Sequence, residues 1–327
     1  MSDSPRERFH SDDTVSWVAA RLMEGHLPAD IVITLARHDP SLKDPEDTVI
    51  QVLESPIFRV AFPKIRAARR LALAASLQRR VRLSGRGSVE RRKGLTAAAL
   101  YDNYVHAHRP VVISGFAEGW PALAWRHQSL AQRFGDEPIE VLDNRLQADH
   151  PDRDFKALKT KIKPSDFAKR VEEELGNNLY LVANNHLMAQ QRSKSLTEDF
   201  CFPEGFLDLE NHQGCNSLWW GPAGTKTAAH HDTCHALFLQ LRGRKQFHFA
   251  SPLDPRLMMN LDGYYQGHRD LHSLTDQILE TTLMPGDLLL IPVGWWHQVE
   301  ALDASIGMSF TNLLVPNRFD DYRPGFL

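Results

Sequence analysis

The chain has 327 residues, 42% of them hydrophobic and 24% charged, with a formal net charge of −3; this excludes a disordered or collagen-like chain and allows a sizeable core. No apolar run reaches the ~18–20 residues of a membrane helix, and the polar start MSDSPRERFHSDD lacks the apolar middle of a secretory signal, so a cytoplasmic protein with no membrane partner is expected. The three cysteines, Cys201, Cys215 and Cys234, are odd in number and form no C-x-x-C pair, which speaks against a disulfide framework or a zinc ribbon.

Residues 1–85 read as a helical N-terminal module. Asp13 and Thr14 are placed to cap a helix in which Val15, Val18 and Leu22 recur at helical spacing. Pro28 suits the first turn of a second helix carrying Ile31 and Leu35, and Asp44-Pro45 opens a third with Val49, Val52 and Leu53. Ser55-Pro56 starts a fourth, striped by Phe58, Phe62 and Ile65 and bent or interrupted at Pro63. Residues 56–95 are strongly basic, from Arg59 to Lys93, with Glu90 the only acid. The first reading of this block is a solvated helix face; the second is a contact for an anionic partner such as RNA.

After the SGRGS stretch at 84–88 the texture changes, and 86–327 read as a second, catalytic domain. Val111-Val112-Ile113 is a short β-branched run, helical pieces follow around 126–134 and 164–175, and NLYLVANN (178–185) reads as a strand. From Ser217 onward strands dominate: SLWWG, AAHHDTCHALFLQL, KQFHFAS, TTLMPGDLLLIP, WHQVEAL and SIGMSFTNLL, punctuated at Gly221-Pro222, Gly243, Pro285-Gly286 and Gly294. Many short strands with turn signals predict a mainly β domain with helices, a double-stranded jelly roll. Residues 253–277 form an irregular insert, a lid or a surface loop. Nothing in the pattern specifies an oligomeric state.

The chemistry lies in GTKTAAHHDTCHALFLQLRGRKQFHF. Alternate residues of a strand share a face, so His230 and Asp232 can both point at one ion. A third ligand must come from a distant strand, and His297 in PGDLLLIPVGWWHQVEAL is the candidate. Two histidines and one carboxylate on one face suit non-haem Fe(II) and leave positions open for a chelating co-substrate and O2. His231 and His235 fall on the opposite register and read as structural or surface residues; Cys234 has the inward register. Lys245, after the turn at Arg242-Gly243, begins the next strand and can reach into the same interior. A buried ammonium there requires an anion, with hydroxyls from Thr227 and Tyr180 sharing the load.

These stretches, with RPVVISGFAEGWPAL before them, resemble the jumonji-C (cupin-like) Fe(II)- and 2-oxoglutarate-dependent oxygenases over roughly 88–316. The closest likeness is to the small hydroxylase branch, typified by factor inhibiting HIF. The resemblance implies a double-stranded β-helix (cupin) barrel, iron at His230, Asp232 and His297, and the far carboxylate of 2-oxoglutarate at Lys245. Thr227, Tyr180 and Ser309 fall where the family has co-substrate contacts, and Trp219 matches an aromatic position near the substrate. Ala236 departs from the pattern, standing where many relatives carry an Asn. The implied activity is hydroxylation of a protein or peptide side chain, giving succinate and CO2. An RNA nucleotide is the alternative substrate, and a metal-binding cupin without turnover the alternative class.

Overall fold

A computed structural model of the chain describes residues 5–24, 26–64, 67, 87–183, 185–210, 215–258 and 270–319. The chain divides into two compact units, residues 1–80 and 81–327. In the first, α1 (Pro5–Glu24), α2 (Pro28–His38), α3 (Pro45–Glu54) and α4 (56–64) each give part of one apolar stripe. Val18 and Leu22, Ile31 and Leu35, Val49 and Val52, and Phe58 meet in one core. Their three- and four-residue spacings put each pair on a single helix face. Pro28 occupies the first turn of α2, and the Asp44 side chain caps α3 by accepting from the Asp47 N–H at 2.9 Å. One expectation is corrected: α1 already begins at Pro5, so Asp13 and Thr14 lie within it and cap nothing. Good helix formers such as Arg6, Glu7 and Arg8 carry the helix upstream of them. α4 runs through Pro63 to residue 64. Ile65 and most of the basic block, Arg69 to Arg86 included, lie outside the described residues.

The second unit is mainly β with helices. Its strands are β1 (Glu90–Arg92), β2 (Val111–Ile113), β3 (Ile139–Leu142), β4 (Lys159–Ile162), β5 (Asn216–Gly221), β6 (Lys226–His230), β7 (Ala236–Arg242), β8 (Lys245–Ala250), β9 (Ile278–Leu283), β10 (Leu288–Ile291), β11 (Trp296–Ala301) and β12 (Ser305–Phe310). They form a six-stranded sheet in the order β1-β2-β10-β7-β12-β5, a four-stranded sheet in the order β6-β11-β8-β9, and the hairpin β3-β4. This is the expected jelly-roll architecture, built as two sheets.

The two sheets differ in sequence texture for a physical reason. β10 (Leu-Leu-Leu-Ile) is buried along its whole length, and β7 over all but its last residue, because the six-stranded sheet is covered on both faces. Leu237, Leu239, Leu288, Leu290, Ile306 and Met308 pack outward in a core shared with α5 (Ala97–Leu100), α6 (His127–Phe134) and α7 (Pro164–Glu173). Phe238, Leu289 and Ile291 point inward, where they meet Phe247 and Phe249 of the four-stranded sheet. In β8, by contrast, buried Lys245, Phe247 and Phe249 alternate with half-buried Gln246 and His248, the pattern of a sheet with one face toward solvent.

Two further expectations are corrected. Residues 228–241 are not one strand. β6 belongs to one sheet and β7 to the other, so 231–235 is the crossover between them. Among its described residues, the stretch 178–185 forms two isolated bridges rather than a strand, Tyr180 with Leu142 and Leu181 with Trp220. In the insert, α8 (Pro255–Met258) and α9 (Leu271–Leu274) are short helices, and 259–269 lie outside the described residues.

The β7–β8 turn delivers Lys245 and depends on Gly243. Its φ of +67° lies in the left-handed region, and a Cβ there would collide with the Ala304 carbonyl oxygen. Gly243→Ala is therefore expected to destabilise the protein by roughly 2 kcal/mol or more, read as a lowered urea midpoint. An unchanged midpoint would show that the turn tolerates a side chain.

Candidate metal centre and adjoining cavity

His230 ends β6 and His297 is the second residue of β11. The two are direct cross-strand partners, with ring centroids 4.1 Å apart. Each ring donates its Nδ1 proton to a main-chain carbonyl two residues back: His230 to Ala228 at 2.7 Å and His297 to Trp295 at 2.9 Å. These bonds select the tautomer whose Nε2 lone pair is turned inward. Asp232, in the crossover, meets both: its carboxylate oxygens lie 4.0 Å from His230 Nε2 and 3.8 Å from His297 Nε2. Its loop is held by the Gly294 N–H donating to the Asp232 carbonyl at 3.0 Å. The β11–β6 register shifts between His297 and Val299, a bulge beside the site.

The donor set fits a ferrous ion. One nitrogen or oxygen from each of the three residues lies within 4.8 Å of the others, and two imidazoles with one carboxylate is the combination that suits non-haem iron. Burial, reinforced by the neighbouring His230, holds His297 well below the usual imidazole range. It is therefore neutral, the form a metal needs.

The triad opens on a cavity of about 650 Å³ that Lys245, Thr227, Tyr180, Ser309 and Trp219 also line. Lys245 is 1% exposed. Its ammonium donates to the Tyr180 hydroxyl at 3.0 Å and sits 5.1 Å from the ring centre of Phe238, 5.4 Å from Tyr180 and 5.9 Å from Trp219. Among the described residues no carboxylate pairs with it. A buried cation held by one phenol and three ring faces is incompletely compensated; an anion in the cavity would complete it. The Trp219 indole donates to Ser309 Oγ at 3.0 Å, which stations Trp219 against this lysine group.

Two residues escaped the sequence reading. Asp152 lines the cavity; one of its oxygens accepts from the Ala228 N–H and the other from Arg145, both at 2.9 Å. Arg145 is fully buried, also donates to the Lys226 carbonyl at 2.9 Å, and lies 5.5 Å from the centre of the Tyr180 ring. The pair fastens the metal-bearing strand β6 to the segment carrying Tyr180. Arg145 opens a single short 3-10 turn (Arg145–Gln147) and Asp152 sits in a turn, so no periodicity marks either. Cys234 does line the cavity, and burial pushes its thiol up to about 12. His231 stacks edge-on against Trp296, and His235 accepts from the Val293 N–H at 3.2 Å. Neither lines the cavity, although the crossover rather than strand alternation turns them away.

A family profile described as a cupin-like domain matches residues 97–311. The chain is 26% identical over 224 residues to lysine-specific demethylase 8 of Xenopus tropicalis, covering 64% of this chain and 49% of that one. It is 27% identical over 247 residues to lysine-specific demethylase JMJ30 of Arabidopsis thaliana, covering 68% and 54%. It is also 27% identical over 229 residues to Jumonji C domain-containing protein 5 of Drosophila melanogaster, covering 62% and 54%. The chain thus spans about half the length of the curated relatives it matches.

If the three side chains hold one ion, removing the single anionic ligand should weaken anaerobic Fe(II) binding by more than the roughly 10–100-fold that loss of an outer-shell contact brings. Asp232→Ala is expected to show this in equilibrium dialysis, with Cys234→Ser behaving as wild type. Equal iron retention by Asp232→Ala would remove Asp232 from the site.

Proposed function

We propose, from the premise that the chain belongs to the cupin-like domain family that includes the jumonji-C oxygenases, that it oxidises a carbon of a protein or peptide side chain, by hydroxylation, with 2-oxoglutarate as co-substrate. Oxygenases of this family use Fe(II), 2-oxoglutarate and O2. The observation that carries the reading for this chain is the buried Lys245 ammonium facing the same cavity as His230, Asp232 and His297. A dicarboxylate spanning the cavity would meet the triad at one end and the ammonium at the other.

Iron bound in such a triad supplies the oxidising chemistry that splits 2-oxoglutarate to succinate and CO2 and adds oxygen to a substrate C–H bond. The rest falls to the side chains. Lys245 and the Tyr180 hydroxyl bind the far carboxylate, with Thr227 and Ser309 lining the same space. The carbonyls of Ala228 and Trp295 keep both imidazoles in the ligating tautomer. Phe238, Phe247, Ile291 and Val299 line the walls and exclude water, which strengthens the lysine–carboxylate attraction. The half-exposed side of Asp232 leaves the metal end open to solvent, where a side chain of the substrate can enter.

A second reading, N-demethylation, draws on the names of the relatives in Xenopus and Arabidopsis. It uses the same oxidation on an N-methyl carbon, so product mass separates the two. Peptides incubated with enzyme, Fe(II), 2-oxoglutarate and O2 should gain one oxygen if hydroxylated and lose one methylene if demethylated. RNA run in parallel tests the nucleotide substrate.

Removing one partner of a buried ion pair costs about 3–5 kcal/mol, roughly a hundredfold or more in affinity. Lys245→Ala is therefore expected to raise the 2-oxoglutarate concentration needed for succinate formation by at least that factor, at unchanged iron content. Lys245→Arg should be milder but impaired, because a forked guanidinium does not match the space of an ammonium. Should Lys245→Ala keep the wild-type dependence on 2-oxoglutarate, the co-substrate is held elsewhere or not used.

A further inference from the structure

The strand that carries Lys245 inward carries His248 outward. On β8 the interior takes Lys245, Phe247 and Phe249, while His248 stands on the far face of the four-stranded sheet. Its direct partner on β9 is Glu280, and its direct partner on β11 is Gln298. Over this row lies α9, whose His272 comes down onto it. His272 Nε2 is 3.3 Å from Glu280 Oε1, His248 Nε2 is 3.9 Å from the same oxygen, and the two imidazole rings are 4.8 Å apart, edge to face. The three ligand atoms lie within 4.8 Å of one another. In a tetrahedral zinc site, bonds of about 2.0–2.2 Å put neighbouring ligand atoms about 3.3–3.5 Å apart; His272 and Glu280 already stand at that spacing, and His248 stands somewhat further out.

We propose that His248, His272 and Glu280 form a second metal site, on the outer face of the four-stranded sheet, that takes a divalent transition ion of the zinc class and pins α9 to that sheet. Two imidazoles and a carboxylate suit such an ion, leaving a fourth position for water. Burial holds the His248 imidazole below its usual range, while the carboxylates of Glu280, Asp270 and Glu300 act the other way. α9 is already seated to present its ligand: Asp270 accepts from the His272 N–H at 3.0 Å, and the Leu271 N–H donates to Gln298 Oε1 at 2.9 Å. Gln298 is also the residue after His297, at the β11 bulge. A metal here would brace the strand that holds His297 from its outer side while remaining outside the cavity.

Equilibrium dialysis of the full chain against Zn2+, with metal analysis, separates the two sites. Asp232→Ala, which disables the inner triad, should still bind one equivalent of zinc and unfold at a higher temperature when zinc is present. Adding His272→Ala or Glu280→Gln to Asp232→Ala should remove that equivalent, weakening it by more than the roughly 10–100-fold of an outer-shell change. Both added substitutions lie on half-exposed side chains, and circular dichroism checks that each variant is folded. The visible bands of Co2+ bound to Asp232→Ala should vanish in Asp232→Ala/His248→Ala. The proposal is overturned if Asp232→Ala binds no zinc, or if its zinc and cobalt signals survive loss of His272 and Glu280. It is also overturned if His272→Ala changes only the pH dependence of unfolding, which would mark a plain His–Glu ion pair. If Asp232→Ala instead retains two equivalents, the inner triad fails as a metal site. The outer one then still stands or falls on whether His272→Ala removes one of them.

Discussion

A positive charge taken out of water sets the terms for this domain. Lys245 begins a strand whose alternate residues point inward, so its ammonium is committed to the interior by the same register that buries Phe247 and Phe249. Moving it out by one residue would expose both rings. The chain answers the charge with a phenol and three ring faces, and leaves the remaining compensation to the cavity. The cavity, the aromatic wall around it and the polar lining at Thr227 and Ser309 follow from keeping that ammonium inside yet short of an anion.

The metal end works on a different physical basis. There the ligands are held by backbone rather than by side-chain packing: two carbonyls fix the imidazoles, a main-chain N–H fixes the Asp232 loop, and cross-strand pairing sets the separation of the histidines. The two ends of the cavity are thus organised on different physical grounds, while the pairing of β11 with β8 and the Arg145–Asp152 pair tie them together.

Much of this was legible in the sequence, and the reasons differ by residue. His230, His297 and Lys245 lie in strands, where a period of two makes the inward face readable. The helical unit was legible from its spacings, down to the proline and aspartate at helix starts. Asp232 does lie beside both histidines, but not by strand alternation, because a change of sheet, invisible in one dimension, interrupts the apparent strand at 231–235. Arg145 and Asp152 could not be found, since a buried ion pair between a three-residue 3-10 turn and a loop leaves no pattern, and each resembles an ordinary surface residue. The outer cluster was equally hidden: His248, His272 and Glu280 come from three elements, and only the folded insert brings them together.

The Arg145–Asp152 clasp bears on how this cavity could be redesigned for other substrates. Asp152, Arg153 and Phe155 all line it from one loop, so a library across that loop would treat them alike. They are not equivalent. Arg153 and Phe155 carry no such clasp and can be varied for shape and charge. Asp152 is engaged by both a buried guanidinium and the backbone of the metal-bearing strand. A neutral replacement there leaves the buried Arg145 guanidinium with carbonyl partners but no counter-charge, and removes the bond to the Ala228 N–H of the metal-bearing strand. The productive library keeps Asp152 and Arg145 fixed as scaffold and spends its diversity on their neighbours.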